Sequence, residues 1–270
     1  MIKDLEHYKP TLGQSWLLVA LIFAGSLVAG FSLPNSAQSL TYAIMMLLPL
    51  AFCWWMGRQA AAAGVKALAI DRPHFGKLPA GVFFALAGIA MIASSILIEP
   101  AVTFIPMRDS IKAIFEQAFV NSALWDMILS TCILAPILEE LICRGVMLRG
   151  MLTRMSPWKA IVWSAVLFAV MHLNLWQAIP AFMMGLLLGW IYWRTHSLWA
   201  TIFLHFLNNS LSTIIARGWP DLPFDASLKD ILNPTTYWTI YALAAVLLAA
   251  TLYLLNEKTR PTEVQARVEG

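Results

Sequence analysis

The chain is short of charge. Asp, Glu, Lys and Arg make up 12% of its 270 residues, against about 25% in soluble domains. With 60% hydrophobic residues and a mean hydropathy of +0.71, that shortage excludes a soluble globular fold. Cysteine is scarce too: Cys53, Cys132 and Cys143 lie in apolar runs without CxxC spacing. An odd number of such thiols argues against a disulfide framework and reads as packing. No basic run with interleaved aromatics is present, so the net charge of +3 does not point to nucleic acid. Three protease signatures are missing as well: HExxH, GxGD and GxSG. No repeat of 20–50 residues and no low-complexity tract appears.

What is present is a series of apolar runs, each about twenty residues long and able to cross a bilayer core. They predict an all-α, polytopic membrane bundle of about eight transmembrane helices, near 14–33, 40–57, 80–98, 124–149, 158–174, 178–193, 197–216 and 235–255. The first run is too long for a signal h-region, and Pro34–Ala37 offers no good A-x-A site, so it reads as a retained anchor. With the N-terminus inside, thirteen Lys and Arg fall on the inner side: Lys3, Lys9, Arg58, Lys66, Arg72, Lys77, Arg149, Arg154, Lys159, Arg194, Lys258, Arg260 and Arg267. Four fall outside: Arg108, Lys112, Arg217 and Lys229. Thirteen against four predicts cytoplasmic N- and C-termini.

Four parts follow. Residues 1–99 read as an N-terminal transmembrane scaffold without intramembrane charge. Residues 100–123 hold two prolines and an amphipathic pattern of Ile111, Ile114, Phe115 and Phe119, which predicts an interfacial helix and linker. Residues 124–216 hold nearly all the buried polar chemistry. Residues 217–270 make an outer loop, the last span and, after Leu255, a polar tail expected to be disordered.

The polar groups sit on successive spans. In ILEELICRGVMLRG, residues 137–150, Glu140 and Arg144 form an i,i+4 pair with the acid first, the favourable order. Glu139 points about 100° away around the helix and lacks a charge partner on its own helix. Each ionised group near the bilayer centre costs about 2.5–3.5 kcal/mol, so Glu139 needs a partner helix, a wet cavity or a raised pKa. Pro136, one turn earlier, leaves the Cys132 carbonyl without its α-helical donor. Phe168 and His172 share a face of the fifth span, and His205 and Asn209 share one of the seventh. At about 1.5 Å per residue, Glu139, His172 and His205 lie roughly 15, 20 and 12 Å from the inner ends of their spans. Gly185 and Gly189 give the sixth span a small-xxx-small packing face. Any one of these features is common as plain helix packing; the set at similar depth is not.

Glu139-Glu140-Leu-Ile-Cys-Arg144, Phe168-Ala-Val-Met-His172 and His205-Phe-Leu-Asn-Asn209 fit EExxxR, FxxxH and HxxxN. In that order, the three motifs resemble the CPBP family of intramembrane proteases. That family holds the type II CAAX prenyl endopeptidases and bacteriocin-processing or self-immunity relatives. The resemblance covers about residues 124–216. It implies a hydrolase of eight helices whose site opens toward the cytoplasm and acts on a membrane-presented peptide or protein, lipidated in the CAAX case. It maps catalysis onto Glu139, His172, His205 and Asn209, with Glu140, Arg144 and Phe168 supporting.

In the metal-free version, Glu139 with His172 activates water, while His205 and Asn209 donate to the oxyanion. In the zinc version, behind the family's metalloprotease label, His172, His205 and Glu139 are ligands. The zinc version lacks the compact spacing that secures zinc sites from sequence. Two other classes stay open: a proton-coupled transporter and a non-catalytic membrane partner or immunity protein. The grouping of polar residues at one level, without an inverted repeat, argues against the transporter.

Overall fold

The computed structural model describes residues 2–32, 37–103, 105–219, 222–223 and 226–259. Among them every regular element is helical. The short α1 (Ile2–Leu5) precedes α2 (Leu12–Ser32), α3 (Gln38–Ala62) and α4 (Ala80–Thr103); α5 (Asp109–Phe115) continues as a π turn over Glu116–Val120. Residues 124–152 form one unbroken helix, α6. There follow α7 (Pro157–Val170), α8 (Leu175–Thr195), α9 (Leu198–Gly218), the short α10 (Leu228–Ile231) and α11 (Pro234–Lys258).

The helix starts are written locally. Pro157 and Pro234 sit in first turns, where a missing N–H costs nothing. The side chains of Asn174, Ser197 and Asn233 accept from Gln177 N, Ala200 N and Thr236 N, as N-caps do.

The predicted spans correspond to α2, α3, α4, α6, α7, α8, α9 and α11. Six of these are long and apolar enough to cross a membrane. The other two are α6, which is long but carries charge and changes register, and α7, with only 14 residues. Large apolar side chains such as Phe31, Trp125 and Trp238 stand exposed, as lipid-facing residues do. The chain is a multi-pass integral membrane protein.

Some boundaries differ from expectation. The third span, expected to end near residue 98, is α4, which runs on through Pro100 to Thr103. The last helix continues past Leu255 to Lys258, while the expected cleavage-site test at Pro34 and the tail from Arg260 lie outside the described residues. The fifth span was expected to reach residue 174, yet α7 stops at Val170. Leu173 then takes a left-handed φ of 57°, a turn conformation disfavoured for a bulky side chain, and Asn174 starts α8.

At the centre lies α6, with α3, α7, α8 and α9 packed around it. It alternates registers: α over Leu124–Met127, π over Ile128–Leu134, α over Ala135–Glu140, π over Leu141–Leu148 and α over Arg149–Leu152. Residues 139–151 are buried throughout, the four charged side chains Glu139, Glu140, Arg144 and Arg149 included.

One end of the bundle is sealed. Arg149 donates to the carbonyls of Gly145 (2.5 Å), Glu6 (3.0 Å), Leu68 (2.5 Å), Leu5 (2.7 Å) and Tyr8 (2.9 Å). A buried guanidinium thereby satisfies its donors on backbone and ties the N-terminal strap and the 63–79 segment to α6. The strap lies so close that a Cβ on Gly57 would meet Asp4 O at 2.2 Å. Burial raises the Tyr8 phenol well above its ordinary value. Arg194 holds the end of α11 at the same face through Asn256 O (2.5 Å).

Candidate active site

The π register of α6 decides what Pro136 does. In this stretch the N–H of residue i+5 pairs with the carbonyl of residue i, as Ala135 N does with Ser130 O. The next bond in that register would run from residue 136 to Thr131. Pro136 has no N–H, so the orphaned carbonyl is that of Thr131, not of Cys132 as an α register predicts. Asn209 fills the gap: its Nδ2 donates to Thr131 O at 2.9 Å. A chain of polar contacts orients this amide, with Asn208 Nδ2 donating to Asn209 Oδ1 (3.3 Å) and Ser95 Oγ donating to Asn208 Oδ1 (2.9 Å).

One turn deeper, a buried row of charge runs between α6 and α9. Arg144 Nη1 donates to Glu140 Oε1 at 2.7 Å, and both side chains are fully buried. The remaining contacts of Arg144 are with α8 and α7: Nη2 donates to Gly185 O at 3.2 Å, and the guanidinium lies 4.7 Å from the Phe168 ring centre. Gly185 is needed there, since a Cβ would come within 2.9 Å of the Ala165 backbone. The same Glu140 Oε1 accepts from His205 Nδ1 at 2.9 Å. A carboxylate without a proton can only accept, so this bond puts a proton on Nδ1. His205 Nε2 then faces Glu139 Oε2 at 3.8 Å. The other oxygen of Glu139 accepts from Tyr42 Oη at 2.5 Å.

Of the seven expected residues, Glu139, Glu140, Arg144, Phe168 and His205 come together. Asn209 sits one turn along α9 from His205. His172 lies in the turn after α7. Its Nδ1 donates to Phe168 O at 2.9 Å and its ring meets the Phe168 ring edge-on at 5.1 Å; the Phe168 ring also meets that of His205 edge-on, at 5.7 Å. Phe168 therefore contacts both histidines.

Zinc ligation by Glu139, His172 and His205 requires all three around one point. Among the described residues, no group of three His, Cys, Asp or Glu is gathered to hold a metal. The donor set as arranged does not fit the ion.

Sequence reasoning missed Tyr42 and Arg149. A lone Tyr in an apolar run carries no local signal for a partner 97 residues away. Arg149 counts in the sequence only as an inner-side charge at the end of the fourth span; the apolar Val146, Met147 and Leu148 before it are the available hint.

The site is closed on the Arg149 side. On the other side Tyr42, Thr131, Leu134, Leu138, His172, Asn208 and Asn209 are all partly exposed. If the N-terminal face is cytoplasmic, this open side faces the opposite way from that implied by the resemblance. Beside it an apolar cleft of about 240 Å³ runs between α6 and α9, past Pro136, Ile137, Ile202 and Phe206.

Residues 121–211, which carry every motif residue, match the family model described as Type II CAAX prenyl endopeptidase Rce1-like. This segment is similar to the CPBP family. The chain is also similar to "Putative membrane peptidase YdiL" of Bacillus subtilis (strain 168), 30% identical over 89 residues, or 33% of this chain. It spans about a third, 36%, of the length of that curated relative. No solved structure matches the chain. The CPBP segment takes in α6 to α9 but leaves out α3, and with it Tyr42.

Proposed function

We propose that the chain is an intramembrane endopeptidase that hydrolyses a peptide bond of a membrane-presented peptide or protein with a water activated by Glu139. The observation that carries this reading is the row Glu139–His205–Glu140–Arg144. One carboxylate is tied down by Arg144 and His205, while the other is free on Oε2 and faces an imidazole nitrogen.

Glu139 takes a proton from water as the hydroxide oxygen bonds to the scissile carbonyl carbon, and the carbonyl oxygen becomes an oxyanion. Glu139 then passes that proton to the amide nitrogen as the C–N bond breaks, leaving a carboxylic acid and an amine. His205, held through Nδ1 by Glu140, serves the oxyanion from Nε2 when it is protonated on both nitrogens. The second N–H of Asn209 adds to that donor set. His172, held through Nδ1 by the Phe168 carbonyl, keeps Nε2 available as a substrate-facing group.

The CAAX-type relatives support a protein substrate cut near a terminus, and the cleft beside Pro136 suits a hydrophobic or lipid-carrying segment. The charge pattern favours cytoplasmic termini. The test compares new protein N-termini in membranes containing wild-type chain and Glu139→Gln chain at equal abundance. Termini that appear only with the wild type support the proposal; identical sets overturn it.

A further inference from the structure

Glu139 meets the chain at both carboxylate oxygens, and the tighter contact comes from outside the CPBP segment. Tyr42 Oη donates to Oε1 at 2.5 Å, against 3.8 Å between Oε2 and His205. Tyr42 stands one helical turn inside α3, and the start of α3 is itself bolted to α6. The Asp126 carboxylate accepts from Gln38 N (2.8 Å), from Ser39 N (3.0 Å) and from the Ser39 hydroxyl, a cap on the orphan N–H groups of a helix start. The same helix that carries Glu139 therefore fixes the turn that carries Tyr42.

We propose that Tyr42 is a positioning residue of the active site: its hydroxyl holds Oε1 of Glu139, so that Oε2 is presented to the water and to His205. The proposal rests on the reading of Glu139 as the base. A carboxylate on an unbranched side chain has several rotamers, and one strong bond to a charged acceptor selects among them. The first three helices then contribute chemistry as well as scaffold.

The contact can be read without any substrate. With 3-fluorotyrosine at position 42 of the purified full chain, the ¹⁹F signal is expected to move when Glu139→Gln is introduced. An unmoved signal overturns the proposal. The positioning role is read as turnover of the substrate found by N-terminal comparison. Tyr42→Phe is expected to lower kcat about 10- to 100-fold, the effect of one bond to a charged group, with KM within about twofold. In a Glu139→Asp background, whose carboxylate is one methylene shorter, the same change is expected to cost less than about threefold. Unchanged kcat in Tyr42→Phe, or equal losses in both backgrounds, overturns the proposal; equal losses mark a plain helix tie. Turnover surviving in Glu139→Gln instead overturns the function proposed above, so the two failures are distinct.

Discussion

Arg144→Leu removes the one cation from the buried row. Glu140 keeps a single partner, His205, while its own charge stays sealed from water at 0% side-chain exposure. Breaking one half of a buried pair costs about 3–5 kcal/mol, because the surviving charge is uncompensated. Loss of the stacking on Phe168 adds up to about 1–2 kcal/mol. Together these come to about 3–7 kcal/mol, and at about 2–4 °C per kcal/mol for a large domain the midpoint of thermal unfolding in detergent falls by roughly 6–28 °C. The three buried thiols, Cys53, Cys132 and Cys143, supply the assay, since a thiol-reactive dye reports their exposure on unfolding. The pair bonds at one point only, one nitrogen to one oxygen, and is not optimised for stability. The double change Glu140→Leu with Arg144→Leu is therefore expected to melt nearer the wild type than Arg144→Leu alone, while cleavage is lost with the anchor of His205. If Arg144→Leu melts within about 2 °C of the wild type, or if the two changes simply add, the reasoning about the pair is wrong.

Asn209→Leu is expected to cost about 1–3 kcal/mol by leaving the Thr131 carbonyl unpaired. Adding Pro136→Ala, which restores a backbone N–H, should recover most of that loss in the same dye assay; no recovery would show that Asn209 is held for another reason. Chelator treatment of the purified protein is expected to leave turnover within twofold, and elemental analysis to find no stoichiometric zinc; zinc-dependent turnover would contradict the donor geometry. A cysteine at Asn208, in a Cys132→Ser background, should react with a membrane-impermeant maleimide from the face opposite the N-terminus, whereas one at Val146 should not react. Labelling of Asn208→Cys from the N-terminal face alone would reverse the direction of access.

The parts of the site legible in the sequence are those joined by short spacings. Glu140 and Arg144 are four residues apart on one helix, so their pairing follows from helical geometry. The matched order of EExxxR, FxxxH and HxxxN points to one group of residues. The divergence of Glu139 from Glu140 is likewise a property of one helix, and it leads to the question of what Glu139 meets. The answer, Tyr42, is set by Asp126 capping α3 across 88 residues, and no local pattern encodes it. His172 was placed on a helix because the apolar run continues to Leu175. The signal against this was Asn174 three residues before Gln177, an N-cap spacing that starts a new helix. The π register of α6 has no signature in a 3.6-residue period, and with it the true orphan at Thr131 was hidden. Arg149 looked like an orienting surface charge because only the tertiary fold brings three carbonyls of the N-terminal strap to its guanidinium.

The central claim is that Glu139, and not its tethered neighbour, activates the water. The most direct measurement is the initial rate of cleavage, in proteoliposomes, of the substrate found by N-terminal comparison. It is taken for wild type, Glu139→Gln and Glu140→Gln, each shown folded by its thermal transition. Loss of a general base predicts a fall of about 10²- to 10⁴-fold for Glu139→Gln, with a smaller fall for Glu140→Gln. A folded Glu139→Gln chain that cleaves within tenfold of the wild type would contradict the account.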